Sequence, residues 1–274
     1  IKVAWWSALF YAILPLPVYY GRTVQPESLM MLLATFSLER WLIYLDRKKD
    51  IYLFTSWMSF TLAVLIKLLP FIWIGIPIFF TIFKANSLNH RKIVILPALT
   101  LFLTFLWYFH AHSVGQESGL SFGFWGAGTG RYDWYHFFSS GDIFDLFFRI
   151  IIRNLLVIGL PLVALGLLEL SMINIFSVGI VSVFLTGIIA PTSFSIHEYY
   201  QLPLMIFLCP LMGLGFVKLR SNLNLRRKFL IKIYLLLMMI GSLLILKIDY
   251  WNLENPSFNP VSENASIIKK FTRK

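Results

Sequence analysis

The chain has 274 residues, of which 58% are hydrophobic and 14% are charged, and its formal net charge is +11. A soluble domain carries about 25% charged residues, so this composition excludes a protein that covers its whole surface with polar side chains. The mean hydropathy of +0.74 and the long apolar blocks without period-2 alternation indicate membrane-spanning helices rather than membrane strands.

The positive net charge has a membrane explanation. The basic residues lie in short loops between apolar blocks, where the positive-inside rule places them, so we expect membrane lipids and no nucleic acid as partners. The single cysteine, Cys209, lies inside an apolar run. We expect it to be a small buried hydrophobic side chain.

The apolar blocks are long enough for about nine membrane-spanning helices. We therefore predict an all-α fold, a polytopic transmembrane helix bundle over residues 1–250, with a tail over 251–274 that begins a further C-terminal region. The two blocks on either side of Lys67 are the least distinct, because each is short. In chain order the predicted spans cover 3–20, 28–45, 51–66, 68–83, 93–110, 149–168, 172–189, 201–217 and 230–247.

Basic residues give this bundle a direction. The loops after the predicted second, fourth and eighth spans are rich in lysine and arginine and fall on one side, which the positive-inside rule makes cytoplasmic. Short loops favour a bacterial plasma membrane, with the other face periplasmic or extracellular. That outer face then holds 21–27, the Lys67 turn, a long loop over 111–148, 191–201 and the tail after Lys247.

The long outer loop divides into two parts. Residues 113–130 are rich in glycine and serine and should be irregular, whereas residues 132–148 are strongly aromatic. The aromatic part fits one or two helices lying in the membrane interface, and it fits an ordinary aromatic belt equally well. Both interpretations stay open from the sequence.

Soluble-enzyme motifs are not visible in the sequence, which has no nucleotide-binding loop, no zinc-ligand spacing and no nucleophile elbow. His110 and His112 are two residues apart near the end of a predicted span. Solvated histidines explain this pair better than a metal site does, so we predict no metal ligand.

Four cations instead fall at or near the outer face, where cations are disfavoured: Arg22, Lys67, Arg131 and His197. Each lies close to a predicted helix end, and polar side chains at this depth usually have a partner or a function. Together they favour an anionic ligand such as a lipid phosphate. The alternative is that long basic side chains simply reach the headgroups.

The neighbours of these cations strengthen the binding hypothesis. Glu27 is explained by the dipole of the helix that it begins, but that dipole does not explain Arg22 and Gln25 in the same loop. The later outer loop contains the polar and aromatic run His197, Glu198, Tyr199 and Tyr200 at the entrance to an apolar span.

A family resemblance rests on three outer segments. The order Tyr-Gly-Arg-Thr-Val-Gln-Pro-Glu within 19–29, Lys67 before Leu-Leu-Pro, and the run 197–200 before Leu-Pro-Leu resemble motifs of GT-C membrane glycosyltransferases. These are the enzymes of the protein-mannosyltransferase and aminoarabinose-transferase type. The order and spacing of the segments, and the long aromatic loop between them, are similar to that family over most of the chain.

The resemblance implies a glycosyltransferase that moves a sugar from a polyprenyl-phosphate carrier to a lipid, glycan or protein acceptor at the outer face. In such enzymes an acidic residue of the first outer loop acts as base or metal ligand, and that loop precedes the span at 1–20. We therefore expect the acid upstream of Ile1, assign no catalytic residue, and expect this stretch alone to be inactive. Whether a divalent metal takes part stays open.

The same resemblance suggests roles for the residues that are present. Arg22, Lys67 and His197 would neutralise the carrier phosphate as it leaves, and Tyr199 and Tyr200 would bind phosphate or stack on sugar. Arg131 would lie on a loop over the site. The full predicted substrate-binding set is Arg22, Gln25, Glu27, Lys67, Arg131, His197, Glu198, Tyr199 and Tyr200.

Two other functions compete with transfer. A transporter or flippase for a lipid-linked anion would use the same outer cations but would also need polar residues deep in several spans. A membrane assembly subunit without catalysis predicts no spatial clustering of Arg22, Lys67 and His197. The scarcity of charge within the predicted spans favours an enzyme that works at one face.

Overall fold

A computed structural model describes residues 2–23, 25–84, 90–118, 141–171, 173–222 and 228–251, together with positions 135, 138 and 269. Within these residues the chain is helical and contains no strand. Its α-helices are α1 (Lys2–Ile13), α2 (Pro15–Tyr20), α3 (Glu27–Arg47), α4 (Asp50–Ile66), α5 (Pro70–Trp73), α6 (Gly75–Lys84), α7 (His90–Ser118), α8 (Asp142–Phe148), α9 (Leu160–Leu168), α10 (Ile175–Ile189), α11 (Pro191–Ile196), α12 (Leu204–Asn222) and α13 (Lys228–Ile245).

Shorter helical segments of other types connect several of these helices. Wider π-helical turns continue α8 through Arg149–Asn154 and α13 through Leu246–Tyr250. A 3₁₀ turn covers Glu198–Gln201, between α11 and α12. These three segments will supply much of the candidate site.

Four helical stretches of the described chain are long and apolar enough to cross a membrane: Glu27–Arg47, Val94–Ser118, Leu204–Asn222 and Phe229–Tyr250. The all-helical bundle is therefore confirmed, but the nine predicted spans are not shown. Proline accounts for part of the difference, because it lacks an N–H and ends a regular helix. The predicted first span breaks at Leu14 before Pro15, and the predicted span at 68–83 is divided into α5 and α6.

Two predicted boundaries also differ from the structure. The fifth span was expected to end at residue 110, but α7 continues to Ser118, so residues 113–118 are helical rather than irregular. The aromatic part of the long loop contains α8, in which Leu146 is buried while Phe144 and Phe147 are exposed. The structure thus shows a short helix in this part, with Leu146 buried and Ile143 packed against the core of the bundle.

Close helix packing forms the centre of the bundle. Helices α9 and α12 approach so closely that a Cβ added at Gly166 would meet the carbonyl oxygen of Leu211, and one added at Gly215 would meet that of Leu162. Small residues allow this kind of backbone contact between membrane helices. The pair holds the segments that precede it, Arg149–Asn154 and Glu198–Gln201, next to each other.

Polar side chains join the helices of a second group, α3, α4 and α7. Ser56 Oγ donates to the carbonyl oxygen of Ser37 at 2.8 Å, and Trp57 Nε1 donates to that of Leu96 at 2.8 Å. The hydroxyls of Thr61 and Thr100 are also 2.8 Å apart. Such bonds between helices are a common source of cohesion where apolar burial contributes little, and here they position α3, which begins at Glu27.

A strained turn connects the first π-helical segment to α9. Leu156 and Val157 both have φ of 57°, a left-handed conformation that is unfavourable for a β-branched residue. The hydroxyl of Tyr234 in α13 donates to the carbonyl oxygen of Ile158 in this turn. A strained backbone conformation persists only where surrounding contacts hold it in place, and the bond from Tyr234 is one of those contacts.

Candidate functional site

A cavity of about 350 Å³ opens where four separate chain segments meet. We call it the polar cavity, because charged, hydroxyl and amide side chains dominate its lining. The segments are the end of α2 with the loop after it, the two π-helical segments, and the 3₁₀ turn. Its lining residues are Tyr19, Tyr20, Thr23, Gln25, Arg153, His197, Glu198, Tyr199, Asp249 and Tyr250.

Irregular helical geometry presents several of these side chains. Arg153 lies on the first π-helical segment, and Asp249 and Tyr250 lie on the second. π-Helical turns are rare, and they occur frequently at functional sites. The buried Asn154 side chain donates to Gln201 Oε1 at 3.0 Å. This bond links the segment of Arg153 to the turn that carries Glu198.

An ion-pair cluster crosses the polar cavity. Arg153 Nη1 lies 2.5 Å from Glu198 Oε1, and Arg153 Nε lies 3.0 Å from Asp249 Oδ2. The hydroxyl of Tyr250 donates to Glu198 Oε2 at 2.6 Å. We call these four residues the Arg153 cluster. It contains one cation and two carboxylates, so its formal charge is negative, and it joins three segments that are distant in sequence.

A second ion pair lies beside the cavity but not in its lining. Lys67 Nζ is paired with Glu27 Oε1, and the Glu27 side chain is only 3% exposed. Glu27 Oε2 is buried and has no hydrogen-bond partner among the residues that the structure describes. Lys67 Nζ also lies 4.4 Å from the ring centre of Tyr199 and 5.4 Å from that of Tyr200, within the range of cation–π attraction.

Aromatic rings form much of the remaining wall. Tyr19 stacks on Tyr250 with ring centres 4.1 Å apart, and His197 stacks on Tyr199 at 5.2 Å. Tyr199 in turn stacks on Tyr200 at 4.8 Å. Tyrosine combines an apolar ring with a hydroxyl that can donate and accept hydrogen bonds, so this wall suits a ligand that has both apolar and hydroxyl surfaces.

An apolar groove of about 670 Å³ adjoins the polar cavity and shares Tyr19 and Tyr250 with it. We call it the lipid groove, because four of its eight lining residues belong to the long apolar stretch Phe229–Tyr250. Two cations, Arg22 and Lys247, are part of the lining. The complete set is Val18, Tyr19, Arg22, Leu243, Leu246, Lys247, Tyr250 and Trp251.

The residues predicted from the sequence are distributed over these features. Gln25, His197, Glu198 and Tyr199 line the polar cavity, and Arg22 lines the lipid groove. The other three described residues lie next to the polar cavity. Lys67 is paired with Glu27 and lies against the Tyr199 ring, and Tyr200 stacks on Tyr199. Arg131 lies outside the described residues.

The predicted set omitted six residues of the cavity lining, which are Tyr19, Tyr20, Thr23, Arg153, Asp249 and Tyr250. For Arg153, Asp249 and Tyr250 the sequence signal was their position, because each is a polar residue at the end of a long apolar block, where an unpaired charge is unfavourable.

No group of three or more histidine, cysteine or acidic side chains with metal-binding geometry occurs among the described residues.

No protein-family model, curated protein or solved structure matches this chain.

Proposed function

We propose that this chain is the membrane core of a GT-C-like glycosyltransferase that moves a sugar from a polyprenyl-phosphate carrier to an acceptor. One observation carries the proposal: a polar, tyrosine-rich cavity adjoins an apolar groove that contains two cations. A lipid-linked sugar has three parts in the same spatial order, because a hydroxylated sugar is joined through an anionic phosphate to a long apolar chain.

The lipid groove and the polar cavity would bind different parts of the donor. The aliphatic side chains of the lipid groove suit the isoprenoid chain, and Arg22 with Lys247 suits the phosphate. The tyrosines, Gln25 and the carboxylates of the polar cavity suit the sugar hydroxyls. Negative charge grows on the phosphate as the glycosidic bond breaks, so nearby cations would stabilise the transition state.

The proposal includes the finer arrangement predicted from the sequence. It comprises a core of about nine spans in a bacterial plasma membrane, with the polar cavity at the periplasmic or extracellular face. The acceptor is a lipid, a glycan or a protein. Tyr19, Lys67, Glu198 and Asp249 all come from segments that the charge pattern assigns to that face, and their proximity in space supports this arrangement.

A transporter is a weaker proposal because of where charge lies in the described chain. The ionised groups around the cavity are gathered at one end of the helices, as Glu27 at the start of α3 illustrates. Farther along α3, Glu39 and Arg40 pair with each other at 2.9 Å. A transported anion needs polar contacts along its whole path, and a cluster at one end favours chemistry at one face.

Replacing Arg22 or His197 by alanine tests the proposal in the full-length protein, reconstituted in nanodiscs with radiolabelled undecaprenyl-phosphate mannose, glucose or aminoarabinose. Discharge of the lipid-linked sugar should fall about 100-fold in Arg22→Ala, which is the typical cost of removing one contact to a developing charge. It should also fall in His197→Ala, because this variant removes a ring from the wall of the polar cavity.

Arg47→Ala is the matched control, because Arg47 ends α3 at the opposite end from Glu27. Its discharge rate should equal that of the wild type. Undiminished discharge in both Arg22→Ala and His197→Ala would contradict the assigned site, and no discharge of any donor by the wild type would contradict the function.

A further inference from the structure

Another apolar groove, of about 440 Å³, lies between helices α3 to α7 and α10 and shares no lining residue with the polar cavity. We call it the second groove. A smaller cavity shares Leu53 and Leu96 with it and continues it to Asp50, the first residue of α4. Phe79 and Ile189 of the lining are exposed, so the second groove opens on the surface that faces the membrane.

The polar atoms of the described lining already have partners. Trp41 Nε1 donates to Thr81 Oγ1 at 2.6 Å, and both Trp57 Nε1 and Ser56 Oγ donate to backbone carbonyl oxygens at 2.8 Å. The other lining residues are apolar. An apolar cavity of even about 150 Å³ stays dry and takes up apolar molecules, so this lining suits a hydrocarbon chain.

The second groove has the depth of one membrane leaflet. Asp50 and Phe60 mark its two ends along α4, and they are about 15 Å apart at 1.5 Å per residue. Phe71 lines the deep end with Phe60, their ring centres 5.8 Å apart. The hydrocarbon core of a bilayer is about 30 Å thick. The groove therefore fits an acyl chain that enters from the Asp50 end.

Basic residues are concentrated at this end of the helices. They belong to the turn between α3 and α4, to the end of α6 and to the start of α7: Arg47, Lys48, Lys49, Lys84, Arg91 and Lys92. The acidic residues of the same turn are Asp46 and Asp50, and Asp50 complements the dipole of α4, which it begins. Clusters of four to eight basic residues beside a membrane helix recognise anionic lipid headgroups.

We infer that the second groove binds an anionic phospholipid, with an acyl chain in the groove and the phosphate among the basic residues of the α3–α4 turn. The charge pattern assigns this end to the cytoplasmic side, so the lipid comes from the inner leaflet. It would fill the space between α6, α10 and the largely exposed α7. The inference does not depend on sugar transfer.

Native mass spectrometry of the full-length protein in a non-ionic detergent tests the inference, with phosphatidylglycerol and phosphatidylcholine that carry the same acyl chains. Phosphatidylglycerol should bind more tightly. Lys48→Ala/Lys49→Ala should raise its Kd about 25-fold, because each lysine near a headgroup contributes about 1 kcal/mol, or about fivefold. The Kd for phosphatidylcholine should not change.

Lys218→Ala/Arg220→Ala is the matched control for the loss of charge. It removes two cations from the same end of the bundle, but both belong to α12, which contributes no residue to the second groove. Its Kd for phosphatidylglycerol should equal that of the wild type.

Gly75→Phe tests the groove itself. Gly75 lines it, and an added Cβ would find Phe60 Cζ at 3.6 Å, an ordinary contact, so the new ring would occupy space in the groove. Displacing two methylene groups of the acyl chain, at about 0.8 kcal/mol each, should raise the Kd of both lipids about 15-fold. Leu101→Phe is the control, because Leu101 is exposed and does not line the groove.

A second variant keeps the test valid if Gly75→Phe lowers the apparent Tm in detergent alone. Phe79 is 58% exposed, so Phe79→Ala removes a wall of the groove without opening the core, and it should also weaken the binding of both lipids. Equal affinity of the wild type for the two lipids would overturn the inference, as would equal losses in the two double variants. Unchanged binding in Gly75→Phe and Phe79→Ala, or tighter binding of undecaprenyl phosphate than of phosphatidylglycerol in competition, would overturn it as well.

Discussion

Replacing Gly215 with alanine is expected to destabilise the protein by about 3 kcal/mol or more, which is the upper end of the cost of overpacking. The added Cβ would meet the carbonyl oxygen of Leu162 and lie 2.9 Å from the backbone nitrogen of Gly166. Both are backbone atoms of α9 and cannot rotate away as a side chain can. The two helices would have to separate, which a lower apparent Tm in detergent would reveal.

Gly75→Ala is the matched control for this substitution. A Cβ at Gly75 would find Phe60 Cζ at 3.6 Å, which is an ordinary contact with the end of a side chain. Its apparent Tm should stay close to that of the wild type, whereas Gly166→Ala should resemble Gly215→Ala. Equal melting of the Gly215 and Gly75 variants would show that the α9–α12 contact does not limit stability.

The same substitution should also damage the polar cavity. Helix α9 follows the segment of Arg153, and α12 follows the turn of Glu198. Separation of the two helices would therefore lengthen the 2.5 Å contact between Arg153 and Glu198. For this reason we expect loss of donor discharge to accompany loss of stability in Gly215→Ala.

Lys67→Met is the second substitution with a large expected effect, a loss of about 3–5 kcal/mol in the free energy of unfolding. Methionine preserves most of the side-chain volume but leaves the Glu27 carboxylate buried without its cation. The cost comes from that uncompensated charge. Adding Glu27→Gln to Lys67→Met should therefore restore most of the lost stability, measured by reversible unfolding in mixed micelles.

Lys218→Met supplies the comparison for an exposed pair. Lys218 Nζ lies 2.7 Å from Glu169 Oε1, and the two side chains are 39% and 34% exposed. Solvent-exposed pairs contribute about 0–1 kcal/mol, so little stability should be lost. The explanation by buried charge would be wrong if Lys67→Met and Lys218→Met lost the same amount, or if the double variant were no more stable than Lys67→Met.

The helical class and several helix boundaries follow from the sequence because apolar composition and length determine them. The predicted span at 51–66 corresponds to Asp50–Ile66, for example. The breaks near Leu14 and Ile74 were missed because a run of apolar residues looks continuous even where proline divides it. Hydropathy measures the preference of a segment for lipid, not the regularity of its backbone.

The candidate site was only partly predictable, for a different reason. Arg22, Gln25 and His197 stand out because they are polar residues in loops between apolar blocks. Arg153 and Asp249 lie at the ends of apolar blocks, where the sequence marks them as polar but does not show which distant residues they meet; the π-helical turns and the ion pairs show their role. Periodicity of 3.6 residues does not reveal a local π turn.

Lys67 illustrates the same limit at a single residue. The sequence indicated that a lysine at this depth needs an anionic partner, and we predicted a substrate phosphate. The structure pairs it with Glu27, which the sequence explained through the dipole of α3. Two residues whose local explanations are separate can thus be partners, and only tertiary structure shows it.

The Arg153 cluster has a consequence for the order of events during synthesis. Glu198 follows Arg153 by 45 residues, so at about 5–20 residues per second the arginine leaves the ribosome roughly 2 to 9 s before its first carboxylate partner. Asp249 comes later still. The Arg153 cluster cannot form until the turn of Glu198 and the segment of Asp249 have both been made. Assembly of the site is therefore a late step in the folding of the chain.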